Sequence, residues 1–263
     1  MITQTILAVF SGGIIGLLMG ATGGGGSLIA IPLLVYVVGI PVQHATAMSL
    51  LVVGYSAAFG AWQQSRHGKV KKRAAVVFSS TGIVGAWLGA QGHKLVPPDI
   101  ILMLFGFLLL LISLWTLQTR ALKTDQHSKL DCAQHFSGNC AIKAIIIGFG
   151  VGILTGFFGI GGGFVIVPAL MFILGFPIWT AVGTSFFIIA LTSIGGIVGH
   201  LDVNHIQIQL TGLVILGSIL GMMLGTHVSK KMKERTLSQA FALLVGLIGV
   251  CIIIDTLANP NKF

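Results

Sequence analysis

Apolar positions gather in ten runs along the chain, at about residues 5–20, 27–40, 42–62, 74–94, 99–118, 144–158, 163–176, 178–199, 208–228 and 236–257. Polar and charged residues collect between them. None of the runs alternates with period two, so a β-barrel is not predicted. Several reach the roughly 20 residues that a membrane-spanning helix needs. The pattern therefore predicts an all-α polytopic membrane protein. The run at 27–40 is too short for a straight span, since fourteen residues rise only about 21 Å at roughly 1.5 Å each. The first two runs of each half thus read as a short or re-entrant hairpin tipped with glycine. Full spans with tilt remain an alternative, so the span count ranges from six to ten.

The two halves of the chain are related. At an offset of 136, GATGGGGSLIAIPLLVYVVGIPVQHATAMSL (20–50) lies on GFFGIGGGFVIVPALMFILGFPIWTAVGTSF (156–186) without a gap, with ten of 31 positions identical. The same offset carries Gly12, Gly16 and Gly20 onto Gly148, Gly152 and Gly156, rows of small residues that let helices pack closely in lipid. Residues 1–118 and 144–263 read as two transmembrane repeats joined by a linker at 119–143. Five segments per half is an odd number, which inverts the second half relative to the first.

Charge agrees with inversion. The loop QQSRHGKVKKR (63–73) carries five cations and its mate GHLDVNHIQIQ (199–209) none, whereas QGHKLVPPD (91–99) carries one and HVSKKMKER (227–235) four. Because cations favour the cytoplasmic side, equivalent loops fall on opposite faces. The linker is then cytoplasmic and both termini are outside, in the inner (plasma) membrane. Inverted repeats with broken helices characterise secondary transporters, whose sites lie near the midplane.

Composition sharpens this reading. Hydrophobic residues make up 55% and charged residues 8% of the 263, with a mean hydropathy of +0.99, against about 25% charged in soluble domains. The net charge of +9 lies in short loops, with no soluble domain to bind nucleic acid. The first apolar run lacks a basic leader and recurs in mid-chain, unlike a signal peptide. All six acids lie in loops or near segment ends, which disfavours cation transport and makes uniport or weakly coupled anion export more natural. The linker stretch DCAQHFSGNC holds Cys132, His135 and Cys140, either a loose metal or redox cluster or a plain solvated segment. No cofactor is implied. A homodimer is compatible with the sequence.

The chemistry sits at the glycine tips. A helix starting after Gly26 presents free N–H groups and about half a positive charge at its N-terminus, and glycines let an oxyanion reach those donors. The second tip supplies another such end, so two positive helix termini meet at the midplane. The expected anion site comprises Thr22, Gly23, Gly24, Gly25, Gly26 and Ser27 with Gly159, Gly161, Gly162 and Gly163. Thr46, Ser49, Thr184 and Ser185 would add hydroxyl donors and His44 a nearby imidazole. Packing is the competing explanation for the glycines and hydroxyls, and an interfacial position for His44 and His200. An intramembrane enzyme using Ser27 finds no support in the second repeat, where Gly163 stands at that place; a structural membrane subunit is the other alternative.

The glycine tips, the IPLL and VPAL that follow, and GIP and GFP leading into ATAMS and AVGTS resemble the sulfite exporter TauE/SafE family over essentially the whole chain. The resemblance implies a membrane carrier of sulfite or organosulfonates, a small anionic substrate in a lipid bilayer. Two departures are GIGGG in place of GGGGS in the second repeat and the cysteine-bearing linker.

Overall fold

A computed structural model describes residues 2–66, 68, 70–118, 138–172, 174–200, 207–229 and 234–258. The described residues are mostly helical, with short turns between helices, and include no strand. The helices are α1 (Ile2–Thr22), α2 (Ser27–Pro32), α3 (Val42–Arg66), α4 (Lys72–Lys94), α5 (Pro98–Gln118), α6 (Gly138–Phe158), α7 (Gly163–Phe172), α8 (Ile178–Gly199), α9 (Ile208–Ser229) and α10 (Glu234–Ala258). Residues 119–137, 201–206 and 230–233 lie outside the described residues. They include Cys132, His135, Asp202 and most of the linker. Cys140, at the start of α6, is disulfide-bonded; Cys251 is a free thiol.

Among the described residues, six helices (α1, α3, α4, α6, α8 and α9) are long and apolar enough to cross a membrane. Their outward faces are what lipid tolerates and water does not. Leu216, Leu220 and Leu224 on α9, Val76 and Val84 on α4 and Ile142 and Ile146 on α6 are more than half exposed. The protein is a multi-pass membrane bundle.

The first arms are not short. α1 and α6 each hold 21 residues, about 31 Å at roughly 1.5 Å per residue. Their polar ends, including Thr3, Gln4, Thr22 and Asn139, continue the helix. The second arms alone are short. α2 passes into a π-helical turn at Leu33–Val37, directly after Pro32. Proline has no N–H to donate and its ring crowds the preceding turn, so the coil widens there. α7 contains Pro168 and ends at Phe172. Both arms then fold back in the same way, Ile40 N–H donating to Leu34 C=O and Phe176 N–H to Leu170 C=O.

The packing interchanges the halves. α1 lies along α9 and α6 along α4, while α3 meets α8 and α5 meets α10. Backbone carbonyls of Val214, Ser218 and Met222 sit directly against Gly12, Gly16 and Gly20. Those of Phe78, Gly82 and Ala86 sit against Gly148, Gly152 and Gly156. Adding 136 to each number of the α4–α6 partners on α4 gives the α9 partners, and subtracting it from α6 gives α1. Small residues remove the side chains that would hold the backbones apart, which is how helices associate without a hydrophobic driving force. α3 and α8 are the most buried of the long helices, and the glycine tips lie against them.

Candidate functional site

The two tips meet. A β-carbon on Gly24 would lie 2.9 Å from the Gly163 Cα, and one on Gly163 would lie 2.9 Å from the Gly24 Cα. Only hydrogen separates the two backbones. The meeting point lies beside Val53 and Ile189, near the middles of α3 and α8, since a β-carbon on Gly161 would press on both. Every residue in 23–26 and 159–163 is buried.

Each tip is pinned by a hydroxyl from the opposite half. Ser185 Oγ donates to the Gly23 carbonyl at 2.9 Å and Ser49 Oγ to the Gly159 carbonyl at 2.5 Å. Both serines also face a carbonyl of their own helix, Val182 and Thr46 respectively. Val182 packs on Gly23 and the Thr46 methyl on Gly159. Here Ser49 and Ser185 brace the tips, with their protons held by carbonyl oxygens.

The other hydroxyls are also engaged. Thr46 Oγ1 donates to Val42 C=O, Ser27 Oγ to Gly24 C=O and Thr22 Oγ1 to Leu18 C=O. Thr184 Oγ1 accepts from the Lys71 N–H at 3.2 Å, which ties it to the start of α4 rather than to a tip. His44 is half-buried in the first turn of α3. His200 caps α8 and is buried, 2% exposed.

The two tips differ chemically. In the first, the Gly23 and Gly24 N–H groups reach Met19 C=O, and the Gly25 N–H reaches Thr22 Oγ1. Its amides are mostly satisfied. In the second, Gly159 N–H reaches Thr155 C=O, and there the pairing stops. Among the described residues none accepts a hydrogen bond from the N–H of Ile160, Gly161, Gly162, Gly163 or Phe164. Gly161 and Gly162 take φ of +70° and +66°, the left-handed region that glycine enters without strain. Successive unpaired amides in such a bend point into one concavity, a geometry able to accept an anion, here at the N-terminus of α7.

One further group points to a ligand. Thr155, in the last turn of α6, is fully buried, and its Oγ1 has no hydrogen-bond partner. A β-carbon on Gly162 would overlap that oxygen. A buried hydroxyl left unpaired costs roughly 1–3 kcal/mol. Here it lies against the tip whose amides are unpaired. Its mate at the 136 offset is Met19, an apolar residue, so the repeat comparison gave no reason to select it. The spacing Thr155-x3-Gly159 was the available signal, placing the side chain one helical turn before the glycines. Among the described residues no group of three metal-ligating side chains occurs, and the buried donor set of amides and a hydroxyl suits an anion.

Comparison with known proteins agrees with the architecture. The family model described as sulfite exporter TauE/SafE matches residues 8–252. A probable membrane transporter protein of Xylella fastidiosa (strain Temecula1) is 33% identical over 259 residues, covering 96% of each chain. The probable membrane transporter protein YdhB of Bacillus subtilis is 26% identical over 254 residues, covering 94% of this chain and 98% of its own. No solved structure matches. A bundle of apolar helices with two glycine tips at its centre, matched nearly end to end by that model, makes this chain a membrane transporter belonging to the sulfite exporter TauE/SafE family.

Proposed function

We propose that this transporter moves a small sulfur oxyanion, sulfite or an organosulfonate, outward across the plasma membrane, and that the anion binds at the second glycine tip. The run of unpartnered amides from Ile160 to Phe164 beside the unpartnered Thr155 hydroxyl carries this reading. An oxyanion has several acceptor oxygens and no need of a donor in return, which is what these groups lack. The first tip, Thr22 to Ser27, closes over the site from the other half. Because Gly24 and Gly163 touch, the tips must part for the anion to pass. Ser49 and Ser185 hold each tip to the opposite half, Thr46 and Thr184 stand in the same helical turns, and His44 lies at the outer end of α3.

We also read the chain as two inverted repeats, 1–118 and 144–263. The interchanged pairing of α1 with α9 and α6 with α4 supports this, as do the opposed cation-rich loops. Both termini then lie outside. The disulfide at Cys140 runs against a cytoplasmic linker, because cytosolic thiols are kept reduced. Labelling from each side decides the placement.

Counterflow in proteoliposomes tests the function, with sulfite, sulfate, sulfoacetate and isethionate offered against a preloaded pool. Sulfite or a sulfonate should exchange. Thr155→Val should weaken the apparent affinity about tenfold or more, since a hydrogen bond to a charged group contributes about 1.5–3 kcal/mol and each 1.4 kcal/mol is a factor of ten. The melting temperature should hold or rise, because valine fills the same volume without an unpaired oxygen. Wild-type affinity in Thr155→Val would remove the hydroxyl from the site, and no exchange of any sulfur oxyanion would remove the function.

A further inference from the structure

His93 and His200 form a buried pair that the transport reading does not use. Their exposures are 3% and 2%, and their rings stand 5.1 Å apart between centroids in a tilted, edge-on arrangement. Each Nδ1 is tied to a backbone carbonyl, His93 to Phe157 at 2.8 Å and His200 to Gly196 at 2.9 Å. A carbonyl can only accept, so each Nδ1 carries the hydrogen and each Nε2 exposes a lone pair. Both Nε2 atoms are buried without a partner. Two buried lone pairs on adjacent rings each lack a hydrogen.

We infer that His93 and His200 together form a proton-binding site that couples proton movement to passage of the anion, an inference that rests on the proposed transport function. One proton taken from water protonates one Nε2, and the charged ring then opposes a second proton on its neighbour, so the pair takes up one proton at a time. No electrons move, and release to water restores the neutral pair. A metal ion is the less favoured occupant, because a structural site needs about four ligands and no third ligating side chain joins the pair among the described residues.

The pair is joined to the anion site by the chain itself. Phe157 lies between Thr155 and Gly159 in the turn that leads into the second tip, so His93 grips the backbone that shapes it. A positive charge there favours an anion at the neighbouring amides, and the two would travel as an electroneutral couple, outward when the anion gradient exceeds the opposing proton gradient. The charged group bearing on the pair is Lys94, next to His93. α8 carries no Asp, Glu, Lys or Arg along its length, and α6 carries only Lys143 near its far end. Asp202 and His205 follow His200 outside the described residues.

Two measurements test this on the full-length protein in lipid. The first follows imidazole nitrogen shifts of 15N-histidine-labelled protein from about pH 5 to pH 9, the range over which histidine charge changes matter. Two of the eight histidines should titrate as a linked pair, and either His93→Asn or His200→Asn should abolish that linkage. Asparagine preserves a donor near the position of Nδ1, so the bonds to Phe157 and Gly196 can survive. Independent titration of the two rings, or none in this range, overturns the proton site, as does tightly held zinc that suppresses the titration.

The second measurement uses isethionate, a strong-acid anion that carries no proton of its own. An imposed gradient of one pH unit should drive about tenfold accumulation at one proton per anion. The His93→Asn, His200→Asn double variant should lose that accumulation while retaining counterflow. Accumulation in the double variant equal to wild type overturns the coupling. Absence of isethionate counterflow in the wild type would count against sulfonate transport instead, and the nitrogen titration would still decide the proton site.

Discussion

Gly156→Ala isolates the contact that holds α6 against α4. A β-carbon at Gly156 would overlap the Ala86 carbonyl oxygen and lie 2.6 Å from its carbon and 2.8 Å from the Ala86 Cα. All three atoms are backbone, so no rotamer change relieves the clash, and the helices must move apart. Separation weakens the neighbouring approaches of Gly148 to Phe78 C=O and Gly152 to Gly82 C=O as well. Three close Cα–H to carbonyl contacts at about 0.5–1 kcal/mol each amount to roughly 1.5–3 kcal/mol. Overpacking strain of about 1–3 kcal/mol adds to this, while the helix-propensity gain of alanine over glycine returns about 1 kcal/mol. The expected net loss is about 1.5–5 kcal/mol. Gly150 and Gly212 are the matched controls, since a β-carbon at either meets nothing within 4 Å. Gly150→Ala and Gly212→Ala should hold or raise stability. The assay is thermal unfolding of purified protein in one detergent, with Gly16→Ala on α1 as the related test against Ser218. Equal melting temperatures for Gly156→Ala and Gly150→Ala would refute the argument that backbone contact through glycine binds these helices.

The serine braces offer a second comparison. Ser185→Ala leaves the buried Gly23 carbonyl without its cross-repeat donor, and Ser49→Ala does the same to Gly159; each should cost about 1–3 kcal/mol, and similar losses from the two are expected in thermal melts. Cysteine accessibility labelling should place residues 66–73 and 230–235 in the cytoplasm and 200–207 outside, and finding 66–73 and 200–207 on one face would remove the inverted arrangement. Gly161→Val should lower stability as well as binding, because φ there is +70° and the new side chain meets Val53; Thr155→Val separates the two effects, and wild-type melting of Gly161→Val would show the turn to be less constrained than drawn.

Much of the architecture was legible because it depends on short-range pattern. The ten apolar runs correspond to the ten helical segments. The glycine rows at the 136 offset name the residues whose backbones touch carbonyls in the structure. What the pattern did not carry was the identity of the partner across space. Ser49 and Ser185 looked like anion donors because their acceptors, Gly159 and Gly23, lie 110 and 162 residues away. Lengths of α1 and α6 were underestimated, since Thr3, Gln4 and Asn139 are polar in sequence yet belong to the first turns, and Thr22 stays in the last turn of α1 with its hydroxyl on Leu18 C=O. His93 falls where the apolar run 74–94 overlaps the loop 91–99, and nothing in the sequence assigned it a role. The helix continues through it because α4 is still packed on α6 there, and its place one turn after Gly89 on the small-residue row was the missed signal. Thr155 was hidden by asymmetry, as its mate is Met19.

Where the anion sits is the central question, and an anomalous-scattering crystal structure with selenite, a sulfite analogue visible through its selenium, asks it directly. The account predicts one selenium site within hydrogen-bond reach of the amides of Gly161 to Phe164 and of Thr155 Oγ1, with Gly24 moved away from Gly163. Selenium bound elsewhere in the bundle, with the two tips still in contact, would contradict it.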